Sequence, residues 1–321
     1  MRFYYSAGTF VYKYSNSTRV FLFLKKKSGM LDIPKGLIRK GESALKAAVR
    51  ETKEETDMDV RPERFFKQKM TLWYYEHKER AKKDVTIFIA RVSNNAKPKI
   101  SQEHKGYAWL SIRQTEASKF MFKQDLNALR EANAYIDRLE ALEAINKKYA
   151  KLLRTERAWK LSKSFVPGEG PANAKLMLIG QAPGADEDRL RRPFVGRSGK
   201  LLDKMLRIAR LKRDSVYITS VVQFFPPSNR LPNSREIKAC KPFLYRQIEV
   251  IRPELIVLVG SLSANELVGI ESIMSDHGKL IVENGRKYFV TLHPAAAIRF
   301  KKNIALIRHD FENLRRILKG L

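Results

Sequence analysis

Residues 36–58 read GLIRKGESALKAAVRETKEETDM and set Arg50 beside Glu51, three residues ahead of Glu54 and Glu55. On a helix, positions 51, 54 and 55 share roughly one face. Clustered carboxylates repel one another unless a cation lies between them, and oxygen-only ligands suit a hard ion. Phosphate-bearing substrates make magnesium the first expectation, with manganese next. The other reading of the same charges is a solvated helix face.

Such a helix needs a sheet to hold it. Residues 3–24 alternate aromatic and β-branched side chains around Ser15-Asn16-Ser17, which predicts two strands joined by a turn, followed by a basic loop over 25–29. Pro34 and Gly36 mark an irregular entry to the helix. Two β-rich runs, 70–75 and 85–90, follow it and are separated by charged residues 76–84, which read as a turn. Together they fit a sheet packed on the carboxylate helix.

The spacing Gly36, Glu42, Arg50-Glu51, Glu54-Glu55 resembles the Nudix box. Thr52 stands where that pattern has an aliphatic residue, and Asp57 where it has glycine; aspartate can adopt left-handed geometry and end the helix. The resemblance implies an α/β/α sandwich with a mixed sheet that hydrolyses a nucleoside diphosphate linkage. Glu51, Glu54 and Glu55 would hold the metal and Arg50 would orient a glutamate. The Pro34-Lys35-Gly36 entry is similar to that of dinucleoside polyphosphate hydrolases, where Lys35 would meet a phosphate. Glu103, in the loop before Tyr107-Ala108-Trp109-Leu110, matches a glutamate that acts as base or extra ligand. Tyr107 itself reads as a half-buried strand residue.

After Pro167-Gly168-Glu169-Gly170-Pro171 the pattern changes. Strands are expected at 176–179, 216–222, 255–259, 280–282 and 288–292, with helices at 198–211, 234–252, 261–268 and from Ala305. This alternation predicts a three-layer α/β/α domain with a mainly parallel sheet, whose ligands gather at the carboxyl ends of the strands. The unusual segments fall there: Gly180-Gln181-Ala182-Pro183-Gly184, Phe225-Pro226-Pro227-Ser228-Asn229-Arg230 and Leu292-His293-Pro294-Ala295.

With residues 192–199, RPFVGRSG, these segments resemble the uracil-DNA glycosylase superfamily, nearest its iron–sulfur group. The resemblance implies that Phe194 stacks on a flipped base and His293 donates to a carbonyl oxygen as the glycosidic bond breaks. The Ser228-Asn229-Arg230 loop and Arg299 would lie near the DNA backbone. Three departures stand out. Gln181 replaces an acidic residue, Ser220 replaces the asparagine that reads the pyrimidine edge, and of four cluster cysteines only Cys240 is present. No iron–sulfur cluster is therefore expected, and Trp159 and Phe165 could fill its place by apolar packing.

The 321 residues allow two cores, and the boundary is expected near Arg138, within a helical stretch over 124–159: a Nudix domain over 1–138 and a glycosylase-like domain over 139–321. The chain carries 63 Lys+Arg against 34 Asp+Glu, a net charge of +29 spread over both parts, which favours DNA or another polyanion as partner beside the nucleotide substrate. One cysteine excludes an internal disulfide. No signal-type start or spanning apolar run is present, so a soluble, cytoplasmic protein without membrane contact is expected. The sequence names no protein partner. Two functions compete for the second domain: base excision, or nucleic-acid binding by a module that has lost catalysis.

Overall fold

A computed structural model describes residues 2–76, 79–118, 123–155 and 164–320. The chain divides into two compact units, Met1–Asp137 and Arg138–Leu321.

The first unit contains β1 (Arg2–Ser15), β2 (Thr18–Lys26), β3 (Leu31–Asp32), β4 (Lys35–Leu37), α1 (Ala44–Thr56), β5 (Gln68–Glu76), β6 (Glu79–Arg91), β7 (His104–Leu110) and α2 (Ile112–Ala117). Helix α3 (Lys123–Thr155) begins in it. Seven strands form a mixed sheet of order β3-β2-β1-β6-β5, with β4 on β1 and β7 on β2. β1 and β6 run parallel while β1 and β2 run antiparallel. Helix α1 lies on this sheet by its small residues: Ala47 and Ala48 pack with Ala7 and Phe88, so the helix approaches closely. Ser43 caps its start, accepting from the Lys46 N–H. Asp57 ends it in the left-handed region at φ 55°, as its short polar side chain permits. Thr52 is fully buried with its hydroxyl donating to the Ala48 carbonyl at 2.7 Å, so the departure from an aliphatic residue leaves no orphaned donor.

One expectation is corrected here. Residues 79–84 are strand rather than turn, because β6 begins at Glu79 and pairs with both β1 and β5. Ala81 and Val85 are buried on one face with Lys83 between them at the same-face position, so the two-residue period is hidden by the charged run 82–84. The basic loop is also shorter, since β2 extends to Lys26.

The second unit contains β8 (Leu176–Gly180), α4 (Ala185–Leu190), α5 (Arg197–Ile208), β9 (Tyr217–Ser220), α6 (Ser234–Ile251), β10 (Leu255–Val259), α7 (Ser261–Val268), α8 (Ile273–Asp276), β11 (Leu280–Glu283), β12 (Arg286–Thr291), α9 (Pro294–Arg299) and α10 (Asn303–Ile317). The five-stranded sheet has order β11-β12-β10-β8-β9 and is parallel except for the β11–β12 pair. β8 and β10 are buried along their whole length, as strands covered on both faces must be. Leu178, Ile218, Val257 and Phe289 pack on one face against Leu202, Leu206, Phe311 and Leu314 of α5 and α10. Thr219 points to the other face and meets Gln247 of α6 at 3.4 Å, which places the third layer. The strand at 216–222 is shorter than expected because the chain leaves the ladder after Ser220. Trp159, expected with Phe165 to fill the place of the cluster, lies outside the described residues.

Candidate functional sites

In the first unit Arg50 is the hub of the box. Its Nε and Nη2 donate to the two oxygens of Glu42 at 2.9 and 3.0 Å, Nη1 to Glu51 at 2.6 Å and Glu54 at 2.9 Å, and Nη2 also to the Leu37 carbonyl. These bonds hold the Glu42 carboxyl down at about 2. Arg50 thus grips three carboxylates, where the sequence suggested one.

Glu51 lies so close to Gly36 that a Cβ built there would sit 2.1 Å from its carboxylate. Gly36 is required for that approach. Glu55 accepts from the Lys35 backbone N–H at 3.1 Å, and burial, with Glu51 and Glu103 nearby, pushes its carboxyl up to about 7. The Glu103 loop is tied to the helix by the Ser101 N–H, which donates to the Glu55 carbonyl at 3.1 Å. The Lys35 ammonium, expected on a phosphate, is instead paired with Asp32, and burial lowers it to about 7. Lys83, on the extended part of β6, is lowered by burial and feels Glu51 and Glu55; nothing in the sequence distinguished it from its charged neighbours.

Among the described residues no three His, Cys, Asp or Glu side chains form a ready metal cage. Glu51 and Glu54 turn to Arg50, and Glu55 faces Lys35. The donor set nevertheless fits a hard cation: Glu51, Glu54 and Glu55 offer only carboxylate oxygens, Glu51 and Glu55 are half-buried while Glu54 is exposed, and Gly36 cradles Glu51.

In the second unit the ends of β8, β9 and β12 open a pocket of about 220 Å³ that gathers Gln181, Phe194, Ser220, Asn229 and His293. Arg299 does not line it and lies in the last turn of α9, its guanidinium 5.4 Å from the Phe300 ring. Phe194 and His293 are neighbours, with ring centroids 5.7 Å apart. Phe194 sits in the left-handed region at φ 50°. Gly199 lets the chain pass there, since a Cβ on it would stand 1.8 Å from the Phe194 carbonyl oxygen.

His293 caps α9, its Nδ1 accepting from the Ala295 N–H at 3.1 Å. That bond needs an unprotonated Nδ1, so the neutral ring carries its proton on Nε2. Burial lowers His293 to about 4, which keeps this neutral donor at ordinary pH.

Sequence reading missed the residues that hold these loops. Glu187 is buried and accepts from the N–H groups of Gly184, Val195 and Gly196 at 3.1, 2.8 and 2.7 Å, which ties the 180–184 loop to the Phe194 loop. Its position three residues after Gly184, at a helix start, was the available signal. Arg213 donates to the Pro193 and Phe194 carbonyls at 2.6 and 3.1 Å. Arg230, expected in the DNA loop, pairs through both Nη atoms with Glu236 at 2.8 and 2.6 Å.

An iron–sulfur cluster does not fit the donors present. Cys240 is buried, hydrogen-bonded with Tyr149, and its thiol is pushed up to about 12. Tyr149 is itself packed on Phe165 and Phe243 at 5.1 and 4.9 Å, an aromatic environment with no second thiolate. No helix among the described residues is long and apolar enough to cross a membrane.

Comparison with known proteins finds two families along the chain. The NUDIX domain family matches residues 5–131 and the uracil DNA glycosylase superfamily matches residues 167–318. A type-4 uracil-DNA glycosylase of Saccharolobus solfataricus is 41% identical over 174 residues, covering 51% of this chain and 81% of the relative. A type-5 uracil-DNA glycosylase of Pyrobaculum aerophilum is 31% identical over 163 residues, covering 45% of this chain and 72% of the relative. Among solved structures, a C. elegans Ap4A hydrolase complex is 25% identical with a TM-score of 0.37, covering 42% of this chain and 98% of that one. The chain is an enzyme that joins a NUDIX hydrolase domain to a domain of the uracil-DNA glycosylase superfamily, and through the latter it belongs to that superfamily.

Proposed function

We propose that the two domains act in nucleotide-pool cleaning and DNA repair, in the cytoplasm. The boundary between them is placed at Arg138. The first domain hydrolyses a phosphoanhydride in a dinucleoside polyphosphate or a damaged nucleotide, with magnesium, or manganese, held by Glu51, Glu54 and Glu55. When bound, the ion neutralises phosphate charge and lowers the pKa of the attacking water. Arg50 sets the carboxylate positions, Glu103 takes the proton of the water, and Lys35 meets a phosphate beside Gly36 once released from Asp32. The observation that supports this reading is the arrangement of the box: Glu51 is seated against Gly36, Arg50 bonds Glu42, Glu51 and Glu54, and Glu55 accepts from the Lys35 N–H.

The second domain releases uracil or another damaged base from DNA without an iron–sulfur cluster. Phe194 stacks on the extruded base and the His293 Nε2–H donates to its carbonyl oxygen as charge develops. Gln181 and Ser220 contact the base edge, and Asn229 and Arg299 contact the DNA backbone. The second reading, a binding module without catalysis, draws on the carboxylate inventory: Glu187, the acidic residue lining the pocket, is committed to three backbone amides.

Assays of the full chain decide both points. Turnover of diadenosine tetraphosphate, oxidised nucleoside triphosphates or ADP-ribose that Glu54→Gln abolishes supports the hydrolase; no turnover with either ion rejects it. Alkali cleavage of uracil-containing DNA that is lost in His293→Ala supports excision. Salt-sensitive binding without cleavage supports the module.

A further inference from the structure

Helix α1 covers only part of its face of the first sheet. Ala7 of β1 and Phe88 of β6 are buried beneath Ala47 and Ala48. Toward the other end of these strands the same face is open to solvent: Phe3 is 57% exposed, Tyr5 61%, and Trp73 of β5 47%. The strand register sets them side by side. Phe3 pairs with Lys82 and Lys82 with Trp73, so these three form one cross-strand row, and Tyr5, Asp84 and Thr71 form the next. The rows lie about 7 Å apart, and Phe3 and Trp73 about 10 Å apart with Lys82 between them. The Arg80 guanidinium stands 4.4 Å from the Trp73 ring centroid and the Lys82 ammonium 5.9 Å. Asp84, the carboxylate of these two rows, is bonded to the Thr71 hydroxyl at 2.7 Å and to Lys82 at 3.2 Å. Three large aromatic side chains left in water on one face, with cations among them, form a patch rather than scattered surface residues.

We infer that this open face of β1, β6 and β5 is a stacking platform for single-stranded DNA. Every base has a π-face whatever the sequence, so Phe3, Tyr5 and Trp73 each offer a ring to one base, and Arg80 adds cation–π attraction. Rows at this spacing suit the successive bases of an extended strand. Lys82 and Arg80 meet the phosphates between them, and the net charge of +29 draws a polyanion to the surface. A duplex keeps its bases stacked inside and leaves the three rings without a partner. A second copy of the chain would bring the same positive charge to this face and be repelled.

The test is fluorescence anisotropy of the full chain with a labelled oligothymidylate of about a dozen nucleotides and with a duplex of the same length. The proteins are wild type, Tyr5→Ala, Trp73→Ala, the variant combining these two with Phe3→Ala, and Arg80→Gln. Each single aromatic replacement weakens single-strand binding about 10-fold and the combined variant weakens it further, with duplex affinity and melting temperature unchanged. Arg80→Gln flattens the slope of log affinity against log salt for the single strand by about 0.7. If the combined variant melts early, the two single variants decide by the same criterion. Single-strand affinity that survives the aromatic replacements overturns the inference. An equal loss for the duplex also overturns it and makes the face a general polyanion contact. Displacement of the oligothymidylate by ATP overturns it in favour of the nucleotide site, and a wild-type dimer that the combined variant dissociates in sedimentation overturns it in favour of a second copy.

Discussion

Gly36→Ala separates positioning from folding. Gly36 lies in strand β4 and its φ is not left-handed, so alanine is tolerated by the backbone. Its new Cβ, however, would stand 2.1 Å from the Glu51 carboxylate. Ordinary carbon contact is about 3.5 Å, so the carboxylate must retreat by roughly 1.5 Å. It is the far end of a flexible side chain, and the retreat breaks its 2.6 Å bond with Arg50. The pair is mostly buried, so losing this charge-assisted bond costs about 1.5–3 kcal/mol, and alanine in a strand recovers about 0.5–1 kcal/mol over glycine. Net stability falls by about 0.5–2.5 kcal/mol, a melting shift of several degrees. Catalysis is less forgiving, since an error of about 1 Å at a reacting centre costs about 10²-fold, near 2.7 kcal/mol of barrier. The assay is nucleotide hydrolysis with magnesium or manganese, beside a thermal melt of the same preparation. A variant that keeps wild-type kcat, or one that does not fold, contradicts this account of the glycine.

Three further outcomes are expected. Glu187→Ala leaves three amides of the pocket loops without their acceptor and should lower stability by about 2–4 kcal/mol in a denaturant titration, with uracil release reduced. His293 is depressed from 6.5 to about 4 in the fold, so the unfolded chain binds its proton more readily between those values. Stability from the neutral ring is therefore complete above pH 6.5 and lost as pH falls toward 4, and His293→Gln should flatten that part of the pH–stability curve. For the same reason uracil release should show no inflection from this residue near pH 6.5. Arg50→Lys keeps the charge but loses the paired Nε and Nη contacts to Glu42, and should reduce hydrolysis by about 10²-fold with little change in melting temperature.

Much of this was legible because it is local. The i, i+3, i+4 spacing of Glu51, Glu54 and Glu55 follows from helix geometry alone, and Asp57 ends that helix in the conformation its side chain allows. The loops after β8, β9 and β12 carry Gly and Pro where the chain leaves the sheet. What was not legible depends on partners distant in sequence. Glu187 matters because two of its three amides lie eight and nine residues away, and Arg213 because it reaches the Phe194 turn. The start of β6 was hidden because its lysines accompany buried Ala81 and Val85. Lys35 was expected on a phosphate but pairs with Asp32 when only protein is present.

The central claim is that one chain carries two separate chemistries. Its most direct test is a single set of full-length proteins, wild type, Glu54→Gln and His293→Ala, each assayed for nucleotide hydrolysis and for uracil release. The account predicts that Glu54→Gln lowers hydrolysis by about 10²-fold or more and leaves uracil release intact, with His293→Ala giving the reverse. Loss of both activities from either substitution, or wild-type activity in both variants, would contradict it.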